Sequence, residues 1–279
     1  MTFIELAPIA VRSSFFMHAV GKFDPTAQHA DDVFTKCFEH TNQVVRFTLR
    51  ETPGGLDVTA EGPGADEALA RWLSHWPPTD EYAAFAPEHR LVRELHRTKP
   101  GLRLVRVPWA YDIGCSVILQ QRVRWVDAAR QWSIIARQFG MTSPLGQAFP
   151  GPKRIARLIP AEIEACGVDY KRATALIRFA REHALHDVVG LDTPLATMRA
   201  RMRALPGIGP WTTEMIAGFA MGDQDAVTVG DLHLPRIVCW ALAREPRGDD
   251  DRMVQLLAPF IGHRFRVTRL LSAAGISPP

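Results

Sequence analysis

The stretch 205–236 reads LPGIGPWTTEMIAGFAMGDQDAVTVGDLHLPR, and one acid in it, Asp231, stands between Gly230 and Leu232. A lone carboxylate can stabilise a developing positive charge or orient a water molecule. It can also cap a helix, because Gly-Asp-Leu-His-Leu opens one and Asp is a favoured cap. Both uses can hold at once. Upstream, glycines 207 and 209 allow a tight turn with bare N–H groups. Pro210-Trp211-Thr212 then opens a helix whose unpaired N–H groups and dipole favour an anion. Together these features make a phosphate cradle that positions a nucleic-acid backbone without reading its sequence. LPGIG alone would equally serve as a plain glycine corner between two helices.

The wider context resembles a known family. LPGIG, an apolar helix and then VTVGDLHLPR are similar to the helix-hairpin-helix (HhH-GPD) DNA glycosylases, whose signature is this hairpin, a Gly/Pro-rich loop and an Asp. PWAYDIGCSVILQQRV (108–123) and FPGPKRIARLIPAEIEACGVDYKRATALIRFAREH (149–183) extend the likeness over roughly 101–265. The resemblance implies that Asp231 is the catalytic acid and that Leu205, Pro206, Gly207, Ile208, Gly209 and Thr212 meet the DNA backbone. It places Gln121 on the DNA-facing helix and Arg122 at the wedge position, where relatives carry an apolar residue. Strand-nicking members have a Lys two residues after the last hairpin glycine. Here that residue is Trp211, and no Lys or Arg occurs from 205 to 235. Base removal without lyase activity is therefore expected. Iron–sulfur members have four Cys after the Asp, against Cys239 alone here.

The remaining branch is that of the 3-methyladenine DNA glycosylase II enzymes, where Trp matches Trp211. The chemistry agrees with the name. An N-alkylated purine is cationic and already a good leaving group, and an aromatic face attracts it by roughly 1–2 kcal/mol when desolvated. Trp211, Tyr111 and Trp109 are the expected base pocket. The expected function is a monofunctional glycosylase of base excision repair that flips out and hydrolyses alkylated purines. A glycosylase for a deaminated or oxidised base, and a non-catalytic DNA-binding module, are the alternatives. Asp231 argues against the second, since a pure binder gains nothing from a carboxylate near phosphates. No cofactor is expected, although backbone carbonyls of such a hairpin can hold a monovalent cation. The expected partner is damaged double-stranded DNA, met by a monomer in the bacterial cytosol.

These residues need a scaffold of mixed character. The composition, 47% hydrophobic and 23% charged over 279 residues, is that of a globular protein of one large or two ordinary domains. No apolar run reaches the roughly 18 residues of a membrane span, and the N-terminus has no basic region ahead of its apolar residues. The four cysteines lack CxxC spacing and read as reduced thiols. Residues 1–97 hold 9 Lys and Arg against 14 Asp and Glu, whereas the remainder holds 24 against 16. A basic C-terminal part suits a polyanion.

The expected fold is mostly α with an N-terminal α/β (α+β) domain at 1–97 and a helical glycosylase region at 98–279. Residues 44–62 read as a hairpin around Thr52-Pro53-Gly54-Gly55, followed by a helix through Trp72. WPPTDEY breaks the chain, and one helix is expected near 87–97. From 109 the helical periodicity runs on to Gly140, read as a C-cap. Short helices opened by Pro follow, then DYKRATALIRFAREHA and a helix with Thr193 as N-cap. Segments 231–245 and 249–262 supply two more.

Overall fold

A computed structural model describes residues 2–5, 9–75 and 84–278. The N-terminal part is a five-stranded antiparallel sheet in the order β1-β5-β4-β3-β2. Its strands are β1 (Thr2–Glu5), β2 (Ala27–Ala30), β3 (Val33–His40), β4 (Gln43–Thr52) and β5 (Gly55–Glu61). Thr52 pairs with Gly55, so Pro53-Gly54 closes the hairpin expected there. Thr41 and Asn42, both at positive φ, close the β3–β4 turn, as a two-residue turn that matches the strands' right-handed twist requires. Alternation along β3 and β4 sends Phe34, Phe38, Val45, Phe47 and Leu49 to the buried face. Helix α1 (Val11–Ser14) and helix α2 (Ala65–Leu73) pack on that sheet.

Among the other described residues the regular structure is helical apart from one small hairpin, Met141–Ser143 with Gly146–Ala148. In order come α3 (Arg90–Thr98), α4 (Ala110–Leu119), α5 (Trp125–Phe139), α6 (Pro152–Ile155), α7 (Pro160–Glu164) and α8 (Tyr170–His186). They are followed by α9 (Leu195–Ala204), α10 (Pro210–Phe219), α11 (Leu234–Ala243), α12 (Asp250–Leu257) and α13 (Arg264–Ala273). Prolines 152 and 160 sit in first turns as expected, and the Asp169 carboxylate caps α8 by accepting from Lys171 and Arg172. The WPPTDEY break lies outside the described residues.

Two expectations need correction, and a third holds in a different conformation. The continuous periodicity of 109–140 is two helices, because the chain turns at 120–124 with Arg122 in the left-handed region at φ +57°. Gly140 caps α5 as expected, donating its N–H to the Ala136 carbonyl at 2.9 Å, with extended backbone. A side chain there would strike the carbonyls of Ala136 and Ala148, and that close approach is what calls for glycine. Thr193 does not cap α9, whose flanking residue is Pro194. The Thr193 hydroxyl instead donates to the Asp187 carbonyl at 2.6 Å. Helix α13 had no counterpart among the expected elements.

Packing crosses residue 97 in both directions. Trp109 leaves the helical part to sit among Phe15, Phe34, Phe38, Phe47 and Trp72, with ring centroids 5.6–6.3 Å away. Trp72 Nε1 donates to the Arg106 carbonyl at 2.7 Å. A buried Lys36–Asp112 pair at 2.8 Å links β3 to α4. Conversely, Val92 and Leu95 of α3 belong to a second apolar cluster with Val238, Met253, Val267 and Leu270.

Candidate active site

The hairpin joins α9 to α10. Gly207 has φ +95°, and a Cβ on it would lie 3.0 Å from Ala175 Cβ of α8, so both conformation and space require glycine. Ile208 points inward and is 6% exposed; it anchors the hairpin in the core instead of facing DNA. Gly209 is exposed, and nothing lies within 4 Å of a Cβ built there. Among the described residues, the N–H groups of Gly207, Gly209, Trp211 and Thr212 have no backbone acceptor. This is the row of bare donors that an anion needs. Leu205 is half-buried and Pro206 exposed.

Two side chains fasten the hairpin from outside. Gln121 Nε2 donates to the Gly207 carbonyl at 3.1 Å and to the Thr212 hydroxyl at 2.9 Å. Gln121 is thus a strut between α4 and the hairpin. Thr212 is 2% exposed with its hydroxyl engaged, so its side chain does not reach outward. Arg178 Nη1 donates to the Pro206 carbonyl at 3.1 Å, a contact that the sequence reading did not single out. Below, Arg199 binds the nearly buried Glu214 carboxylate of α10 at 2.6 Å and also contacts Asp223. Arg122 is exposed at the tip of the turn after α4.

Asp231 is half-buried and fully engaged. Oδ1 accepts from the backbone N–H groups of His233 and Leu234, both at 2.9 Å. Oδ2 accepts from Trp211 Nε1 at 2.9 Å. The acid therefore caps α11 from outside the helix and at the same time meets the first turn of α10. Its loop is held from behind, because Gly230, at φ +89°, donates its N–H to Asp250 Oδ2 of α12 at 2.9 Å. Only a first-turn acid, favoured by the helix dipole in any case, marks Asp250 in the sequence. Leu232, next to the acid, is 81% exposed.

The expected pocket does not assemble as one unit. Trp211 meets Asp231, but Trp109 and Tyr111 form no hydrogen bond or ring contact with either, among the described residues. Trp109 is 1% exposed, donates Nε1 to His18 Nδ1 at 2.9 Å and belongs to the sheet's core. Tyr111 is buried, with its ring stacked on Phe179 at 5.4 Å and His183 at 5.0 Å. Both line a different cavity of about 250 Å³ beside Glu39, Lys153 and His183, which neither Trp211 nor Asp231 lines. Burial pulls the His183 imidazole down to about 4, while the neighbouring Asp187 carboxylate pulls the other way. Burial likewise raises Asp112 to about 6, with Lys36 opposing it.

A sequence model described as HhH-GPD superfamily base excision DNA repair protein matches residues 115–260. The chain belongs to this superfamily. The matched HhH-GPD region contains the strut, the hairpin, Trp211 and Asp231 together. DNA-3-methyladenine glycosylase 2 of Escherichia coli K12 is 34% identical over 128 residues, covering 44% of this chain and 45% of that protein. The alignment thus spans less than half of that curated relative. The 3-methyladenine DNA glycosylase of Archaeoglobus fulgidus superposes with a TM-score of 0.76 over 99% of this chain and 98% of that one, at 17% identity. An 8-oxoguanine glycosylase/lyase of Clostridium acetobutylicum superposes with 0.69 over 99% and 98%, at 12% identity. Both likenesses establish the shared fold, sheet included.

Proposed function

We propose that this HhH-GPD protein is a monofunctional DNA glycosylase that removes alkylated purines of the 3-methyladenine type. The observation that carries the reading is the Asp231 carboxylate, with three donors on its two oxygens and the indole of Trp211 as one of them. Three hydrogen bonds fix the direction of the carboxylate before any substrate arrives. The name of the Escherichia coli relative points to the same lesion.

The hairpin N–H groups would hold a phosphate of the damaged strand, and the flipped nucleotide would stand over Trp211. The indole edge is committed to Asp231, which leaves its faces for a cationic base. As the N-glycosyl bond breaks, its electron pair goes to the base and neutralises it. Positive charge passes to the sugar, where Asp231 stabilises it. Water then adds to the anomeric carbon and releases its proton. No Lys stands between 205 and 235 to replace that water, so an abasic site with an intact strand is the expected product. The reaction requires no cofactor, one copy of the protein suffices, and the chromosome in the cytosol is where its substrate would be met. Among the described residues, no helix is long and apolar enough to cross a membrane.

The test is base release from methylated duplex DNA by wild type and Asp231→Asn, with and without hot alkali. Wild type should release 3-methyladenine, with strand breaks only after alkali. Asp231→Asn should lose at least two orders of magnitude in rate, the scale of one electrostatic stabiliser, while still binding duplex. Strand breaks without alkali, or equal rates in the two proteins, would refute the assignment.

A further inference from the structure

The bare hairpin is not the end of the cationic surface. The Arg178 guanidinium, bonded to the Pro206 carbonyl, stands at the hairpin's lip. About one turn further along α8, Arg181 Nε donates to the Ala156 carbonyl at 3.1 Å, in the corner after α6. Arg154 and Arg157 flank that corner, and Lys171 lies about two turns back on the Arg178 face of α8. All five side chains are exposed.

Their state of pairing sets them apart. Nearby arginines are neutralised: Arg172 by Asp169, Arg199 and Arg203 by Glu214, and Arg201 by Glu182. Among the described residues, none of the five has a carboxylate within ion-pair distance, and the one acid within α8, Glu182, is taken by Arg201. Five like charges on one continuous face repel one another until a polyanion covers them.

We infer that Lys171, Arg178, Arg181, Arg154 and Arg157 form a phosphate track that continues from the hairpin and grips duplex DNA flanking the flipped nucleotide. The inference rests on the reading that the hairpin holds DNA, because the Arg178–Pro206 contact makes the two surfaces one. Such contacts carry no base information. They would hold undamaged duplex while the protein searches for a lesion, and they would weaken steeply with salt.

The test is equilibrium binding of undamaged duplex across a salt series. The triple variant Arg154→Gln/Arg157→Gln/Arg181→Gln is compared with wild type and with a charge-matched control, Arg50→Gln/Arg93→Gln/Arg137→Gln. Melting temperatures check that each is folded. Each lost phosphate contact lowers the slope of log K against log salt by about 0.9. The triple variant should therefore lose about 2 to 3 in slope, and the control should keep the wild-type slope. An unchanged slope in the triple variant, or an equal loss in the control, would overturn the track. Weakened binding in Gly207→Ala beside an unchanged triple variant would overturn the track and leave the hairpin reading standing. Wild type that does not bind duplex would overturn both.

Discussion

At the scale of single residues, the Trp211–Asp231 contact decides what can be asked of each partner. Trp211→Phe keeps a smaller aromatic face and removes the Nε1 donor with the ring that carries it. A hydrogen bond to a charged group is worth about 1.5–3 kcal/mol, so base release in single turnover should fall about ten- to hundredfold with duplex affinity unchanged. A wild-type rate would mean that the indole does not orient the carboxylate. That these two residues stand together was foreshadowed by local signals, an acid after a glycine hairpin and an aromatic in the first turn of the helix between them, and the structure joins the pair by one hydrogen bond. Trp109 and Tyr111 were not. All ten residues of α4 are buried, so the helix has no solvent face from which a sequence could tell pocket from core. Both aromatics looked equally available, and the sheet took Trp109 while Phe179 and His183 took Tyr111.

At the scale of elements, the two hairpin glycines do different work. Gly207→Ala meets a left-handed backbone, costing about 1–2 kcal/mol, as well as Ala175 at 3.0 Å. Gly209→Ala has φ −98° and open space. Thermal melts should therefore show a loss of several degrees for the first and almost none for the second. Equal losses would mean that the hairpin is not pinned against α8. The hairpin's existence was plain from its glycines, whereas the turn between α4 and α5 was hidden. QQRVRW contains neither Gly nor Pro, and an arginine adopts the left-handed conformation instead. That turn nevertheless sets where Gln121 reaches the hairpin.

At the scale of the molecule, His183 contributes to the response to acid. His183 is held neutral, with its folded value near 4 against an ordinary value of 6.5. Between those limits the unfolded chain binds the extra proton, so this group's stability is present above pH 6.5 and is lost as pH falls towards 4. The loss is about 1.4 kcal/mol per pH unit. His183→Phe keeps a ring against Tyr111 and removes the proton site. Its melting temperature should fall less than that of wild type over that window, and parallel curves would refute the assignment. The interlock at Trp109 has a further consequence for anyone wishing to divide the chain. Cutting after residue 97 would not release two autonomous parts, because the helical fragment would carry the tryptophan that fills the sheet, and the sheet fragment would carry α3, whose apolar side belongs among α11, α12 and α13. Each fragment would be sticky alone and would find its complement in the other, so the protein is suited to reconstitution from two co-expressed pieces rather than to dissection.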